Sequence, residues 1–334
     1  MPSLHRDITS RIQGQLQIHC VKSRNVSLNI IQQNSKILTS YELFVNINYV
    51  RDFLGFIAYT FLKSVQFICR FTPLSLRLYV GKLLGVLAYL ISVHRKALAR
   101  ANLSMILGED KRYLAVEVFK NLGMSLVEFI TLPFLSPKDL KEFCLLQGKE
   151  NLIKALSIGK GAILLTAHLG NWELIGARLA LEGFNVISPA RPQDEFEEKV
   201  NQIRNSKGYK TVSVDDGIIP LISYLKKGAI VGVLSDQNIL VGGVKVPFFG
   251  IPVSTPPGAA ILALRSGAPV LPTFDIRIGK RHLVYIGEPI PLVENGNFRE
   301  NVLKNTAKFN EIIEKWVRKY PEQWLWVHHR WRRI

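Results

Sequence analysis

The sequence predicts an α/β protein: a mixed, mainly parallel sheet covered by helices on both faces, preceded by membrane-associated helices. Three observations predict it. After Gly148, short apolar runs bounded by glycine alternate with amphipathic segments, the grammar of strand–helix–strand units. Ahead of them, residues 53–93 are rich in apolar side chains but interrupted by Lys63, Pro73, Arg77 and Lys82. The chain of 334 residues is 48% hydrophobic, with a mean hydropathy of +0.14. That is apolar for a soluble enzyme and too polar for a bundle of membrane spans.

The elements follow in order. Residues 1–42 are polar, rich in Asn, Gln and Ser, and without sustained period, so they read as an extension. Residues 43–110 are expected to form a membrane-associated helical region, and residues 111–334 an α/β domain. Within the first region, Phe53–Cys69 is near the lower length limit for crossing a bilayer and carries Lys63. Leu74–Val93 reads as a second, amphipathic helix on the membrane; a pair of buried core helices is the alternative. The basic run His94–Asn102, HRKALARAN, marks a cytoplasmic side and favours anionic headgroups. Helical pattern runs from Lys111 to Phe134 and is ended by Pro133 and Pro137. Strands are then expected at Gly161–Ala167, Phe184–Pro189, Ile230–Leu234, Pro269–Asp275 and His282–Ile286. Helices are expected at Trp172–Leu181, Glu195–Ser206, Ile218–Lys226, Pro257–Ser266 and Phe298–Lys319.

Charge narrows the partners. Lys plus Arg total 43 against 26 for Asp plus Glu, a net +17 that attracts polyanions. The candidates are nucleic acid, an anionic membrane surface or an acidic carrier protein, and the apolar content favours the membrane over nucleic acid, which needs no such content. Cys20, Cys69 and Cys144 form no CxxC and suit structural thiols in a reducing compartment. The first twenty residues lack an apolar signal-peptide core. The chain has no GxSxG, P-loop or HExxH, which disfavours a serine hydrolase, an NTPase or a zincin.

The stretch Thr166–Leu174, TAHLGNWEL, carries the chemistry. His168 falls just past a buried strand, where open α/β sheets bind ligands. Gly170 permits a tight turn, Asn171 is a good N-cap, and a helix starts at Trp172. The turn allows Glu173 to fold back and accept a hydrogen bond from one His168 nitrogen, leaving the other free to take a proton. On spacing alone a satisfied structural histidine is the default, and the strand–turn–helix placement brings the catalytic dyad level with it. His328 and His329 have no carboxylate or Cys partner at metal spacing and read as packing or interface groups. Trp324, Trp326 and Trp331 suit either a membrane interface or packing of the final segment.

TAHLGNWEL resembles the signature of the bacterial lipid A biosynthesis acyltransferases, the late lauroyl and myristoyl transferases, within the lysophospholipid acyltransferase superfamily. Arg191–Pro192 and Arg204 with Asn205 and Gly208 resemble its second block. SDQNILVGGVKVPFFG, with Asp236 and Gln237 in the acidic position, resembles the third. TPPGAAILALRSGAP and the tail PEQWLWVHHRWR follow as in the family. The resemblance spans about residues 50–334.

It implies an acyltransferase on the cytoplasmic face of a bacterial inner membrane. Its donor would be an acyl-carrier-protein thioester, and its acceptor a hydroxyl of an anionic glycolipid, a lipid A precursor. No metal or redox cofactor is implied. His168 would be the general base and Glu173 its orienting carboxylate. Arg204, Arg191 and Asn171 would contact substrate, and Asp236 would hold Arg204 or touch the sugar. A structural Arg204–Asp236 ion pair is the alternative for those two residues. Backbone N–H groups near Gly170 are the oxyanion candidates. Phosphatidylinositol mannoside and glycerolipid acyltransferases, with the same chemistry on other lipids, are the near rivals. A membrane-surface or nucleic-acid binding protein with a dead site is the rival from another class.

Overall fold

The computed structural model describes residues 60, 63–64, 66–68, 71–190, 195–215 and 217–331. The expected extension 1–42 and much of the expected helix Phe53–Cys69 lie outside them. Residues 65–334 cluster as one compact unit. Of the other unit, residues 1–64, the described Thr60, Lys63 and Ser64 are helical, and the Ser64 hydroxyl donates to the Thr60 carbonyl.

Helix α1, Leu74–Ile91, starts directly after Pro73, which cannot itself extend a helix backwards. It is long and apolar enough to cross a membrane, and only 17% of it is buried in the fold. Leu76, Tyr79, Leu83, Leu87 and Leu90 stand exposed at helical spacing. The opposite face carries the buried Leu78, Gly81 and Gly85. These pack on α3, Leu114–Thr131, where Gly123 answers them. A Cβ on Gly81 would come within 2.6 Å of the Met124 Cα, and one on Gly85 would meet the Phe119 carbonyl. The two backbones touch because no side chain separates them. In the chain the two are joined through α2, Val93–Leu107, which buries Ala99 and Leu103 completely in the main core.

The remaining elements are α4 (Pro137–Phe143), β1 (Cys144–Gln147), α5 (Lys149–Leu156), β2 (Ala162–Thr166), α6 (Glu173–Leu181), β3 (Val186–Ala190) and α7 (Glu195–Ser206). After these come β4 (Lys210–Ser213), α8 (Ile219–Lys226), β5 (Ile230–Leu234), β6 (Val244–Phe248) and β7 (Ile251–Thr255). The chain ends through α9 (Gly258–Ser266), β8 (Val270–Ile278), β9 (Arg281–Ile286) and α10 (Phe298–Lys319). The seven-stranded sheet has the order β1-β9-β8-β2-β5-β3-β4. It is parallel except where β8 meets β9 antiparallel. This is the mixed, mainly parallel architecture that the alternation predicted.

The central strand β2 is buried at every position, as a strand covered on both faces must be. Its period of two splits the core. Ile163 and Leu165 join the cluster with α2, α8, α9 and α10, while Ala162 and Leu164 join the one with α4, α5, α6 and α7. The elements that sequence periodicity missed are at the margins. β1 and β4 are four-residue edge strands, too short to show alternation. β6 and β7 form a separate hairpin in which Pro247 faces Pro252, residues that argue against a central strand. Its turn puts Phe249 and Gly250 both at positive φ, 53° and 76°.

Candidate active site

His168 lies in the turn between β2 and α6, beyond the carboxyl end of the central strand, as expected. The turn is held from three sides. Gly170, at φ 61°, donates its N–H to the Gln323 carbonyl at 3.0 Å, and a Cβ there would strike Asp275. No L side chain fits that backbone and that space. The Leu325 N–H donates to the His168 carbonyl at 3.1 Å, and Leu169 pairs with Trp324 as a short antiparallel bridge. The chain's tail is thus a wall of the site. Trp324 and Trp326 are 2% and 0% exposed, which decides for packing over a membrane interface.

The carboxylate that orients His168 is Asp236, not Glu173. Asp236 is fully buried at the end of β5; its Oδ1 lies 2.8 Å from His168 Nδ1, and its Oδ2 accepts from the His168 backbone N–H at 2.9 Å. Trp324 Nε1 donates to the same Oδ2 at 2.8 Å. Burial alone would raise the Asp236 carboxyl, but the His168 ring and these donors hold it below its usual range. An ionised Asp236 accepts only, so Nδ1 carries the proton and Nε2 is the basic atom. Gln237 Nε2 stands 3.3 Å from Nε2, and the Trp172 ring packs edge-on at 4.7 Å.

Glu173 faces elsewhere. It is clamped by Arg204, with Nη2–Oε1 at 2.6 Å and Nε–Oε2 at 3.0 Å, and it accepts from the Tyr209 hydroxyl at 2.8 Å. The Arg204 and Glu173 side chains are only 11% and 13% exposed. Burial, then the Glu173 carboxylate, pushes the Tyr209 phenol well above its usual range. The expected pairing is therefore exchanged: Asp236 serves His168, and Glu173 serves Arg204. The fold-back failed because Glu173 opens α6 and projects across it towards α7. Meanwhile β5, hydrogen-bonded beside β2, delivers Asp236 to the histidine.

Asn171, expected as the helix cap and a substrate contact, is 2% exposed and turned into the framework. Its side chain donates to Glu128 Oε2 at 3.0 Å, and its N–H donates to Asp275 Oδ2 at 2.7 Å. Trp172 takes the cap position without a side-chain hydrogen bond. The amides of Leu169, Gly170 and Asn171 are thus all committed, so none of the three is the oxyanion donor. Arg191 lies outside the described residues. His328 accepts from the Asn238 N–H at 3.0 Å, a packing role.

A charged framework that spacing gave no sign of stands behind the turn. Glu128 pairs with Arg277 and His282, and His282 Nδ1 lies 2.6 Å from Asp275 Oδ2, all of them buried. Burial opposes charge on both groups, yet the partners win: Glu128 falls to about 2 and His282 rises to about 9.

Trp172, the ring that packs against His168, also lines a cleft of about 50 Å³ that opens to solvent. Leu164, Trp172, Ile175, Val186 and Leu234 make it mainly apolar, and Glu173 and Tyr209 line one side. Its apolar lining suits a hydrocarbon segment rather than a polar group.

The family model for bacterial lipid A biosynthesis acyltransferases matches residues 46–333. The lipid A biosynthesis palmitoleoyltransferase of Escherichia coli (strain K12) is 26% identical over 269 residues, covering 78% of this chain and 86% of that protein. The lipid A biosynthesis lauroyltransferase of the same organism is 25% identical over 271 residues, with the same coverage of 78% and 86%. A phosphatidylinositol mannoside acyltransferase of Mycobacterium tuberculosis (strain CDC 1551 / Oshkosh) is 30% identical over 132 residues, covering 38% of this chain and 42% of that protein.

Proposed function

The chain belongs to the bacterial lipid A biosynthesis acyltransferase family, and on that premise we propose that it moves a fatty acyl group from an acyl-carrier-protein thioester to a hydroxyl of a lipid A precursor, with His168 as general base. The observation that carries the reading is the Asp236–His168 pair, whose ring packs against Trp172, a wall of the apolar cleft. Nε2 takes the proton of the acceptor hydroxyl while its oxygen attacks the thioester carbonyl. The tetrahedral adduct then collapses: the ester C–O bond remains, the C–S bond breaks, and the proton passes from His168 to the leaving thiolate. Asp236 keeps the ring oriented and stabilises the imidazolium. Transfer from a thioester is downhill, so positioning, a base and electrostatics suffice.

Arg204 and Glu173 act as a positioning pair at the cleft, in place of the substrate contact that the resemblance implied for Arg204. The exposed stripe of α1, with His94, Arg95 and Arg100 exposed on α2, supports placement on the cytoplasmic face of an anionic inner membrane. The net +17 fits an acidic carrier and a phosphorylated glycolipid. A phosphatidylinositol mannoside acceptor is the second reading, favoured by the 30% identical mycobacterial relative.

The test is acyl transfer in purified membranes, with carrier-protein donors of several chain lengths and a panel of lipid acceptors, wild type beside His168→Ala. The expected outcome is transfer to a lipid A precursor that vanishes in a normally folded mutant. Transfer only to the mannoside moves the chain to that reading. A mutant that keeps most of its activity removes His168 from the chemistry.

A further inference from the structure

We infer that the Thr166 hydroxyl is the side-chain donor that receives the acyl carbonyl and stabilises its oxyanion; this rests on the acyl-transfer reading of the same site. Thr166 closes β2, two residues before His168, and is 6% exposed. Its Oγ1 has no hydrogen-bond partner among the described residues. It also lines the cleft, on the same strand face as Leu164.

Each fact constrains the next. A buried hydroxyl without a partner is destabilising, and valine would fill the same strand position without that cost. Nothing in the packing of β2 calls for a hydroxyl: its backbone bonds run to β5 and β8, and the Thr166 carbonyl accepts the Ser235 N–H. Ser188 also lines the cleft but is partly exposed, so solvent satisfies it. Thr166 is the hydroxyl there that only an occupant of the cleft can satisfy.

The chemistry supplies such an occupant. A fatty chain that enters the apolar cleft brings its thioester carbonyl to the side walled by Trp172, against which His168 packs, and the carbonyl oxygen becomes an oxyanion when the acceptor adds. The turn's amides at Leu169, Gly170 and Asn171 are already donated elsewhere. Thr166 Oγ–H donates to the carbonyl and more strongly to the oxyanion, which is what lowers a barrier.

The experiment compares Thr166→Val and Thr166→Ser with wild type, using a medium-chain acyl thioester donor and measuring kcat, KM and thermal midpoint. Thr166→Val is expected to lower kcat by about 10²-fold with KM little changed. Its thermal midpoint should be equal or higher, because an unsatisfied buried hydroxyl has gone. Thr166→Ser is expected to recover most of kcat. A second readout needs no turnover: with His168→Ala and a donor isotope-labelled at its carbonyl, the bound carbonyl stretch should lie lower than in the same protein carrying Thr166→Val. Transfer within about twofold of wild type in a folded Thr166→Val, or an unchanged carbonyl stretch, overturns the inference while leaving acyl transfer standing. A wild type that transfers no acyl group overturns both.

Discussion

Asp236 and Glu173 are both carboxylates within reach of the same turn, yet their partners give them different work. Asp236 holds a ring at 2.8 Å and is sealed from water, so Asp236→Asn keeps the shape but cannot enforce the Nδ1-protonated tautomer. The expected result is a kcat about 10³-fold lower with a near-normal thermal midpoint, read in the acyl-transfer assay. Glu173 and Arg204 form a mostly buried bidentate pair, and removing one partner strands the other. Arg204→Ala should therefore cost about 3 kcal/mol of stability, and adding Glu173→Ala should recover part of it. A double variant as unstable as the sum of the singles would show that the two side chains are not energetically paired. The residue types of the site were legible in TAHLGNWEL and SDQ. Their pairing was not, because residues 68 apart meet only when β5 lies beside β2.

Among the elements, α1 and α3 show how glycine sets a helix contact. Gly81 and Gly85 lie one turn apart and face Gly123, so the backbones approach without side chains between them. Gly85→Val must push Phe119 aside, and the expected cost is about 1–3 kcal/mol from overpacking. A lower thermal midpoint in detergent checks it; an unchanged one would mean that α1 can shift on α3. The longer helices and central strands were readable because each carries a period or an unbroken apolar run: Phe298–Lys319 and Ile230–Leu234 stand where the pattern put them, whereas the short α4 and α5 were not expected. β1, β4 and the β6–β7 hairpin were not. Each is short, at an edge or proline-bearing, and pairing rather than pattern makes it a strand.

Across the whole molecule, the buried framework ties stability to pH. His282 has a folded pKa of about 9 against an ordinary 6.5, so its contribution is full below pH 6.5 and is lost as pH rises through 9. Glu128, lowered to about 2, contributes fully above 4.5 and loses its share as pH falls through 2. The thermal midpoint is expected to fall between pH 6.5 and pH 9, and His282→Gln should flatten that slope while lowering the plateau. An identical slope in the variant would assign the titration to another group. The turn that bears His168 hangs on this framework through Asn171 and Asp275, so alkaline loss of stability and of activity should run together.

By itself, the sequence determined the family, the α/β class, the strand–turn–helix that presents His168, and the apolar, basic character that points to a membrane. The family followed from the resemblance of its motif blocks and the rest from local period, turn chemistry and composition, none of which needs knowledge of what touches what. The tertiary structure decided that Asp236 orients His168, that Glu173 belongs to Arg204, that the tail's tryptophans wall the site, and that a buried charge cluster supports it. Those depend on which strands are neighbours and which side chains lose water together, and hydrogen-bond energy is assigned by that proximity rather than by distance along the chain.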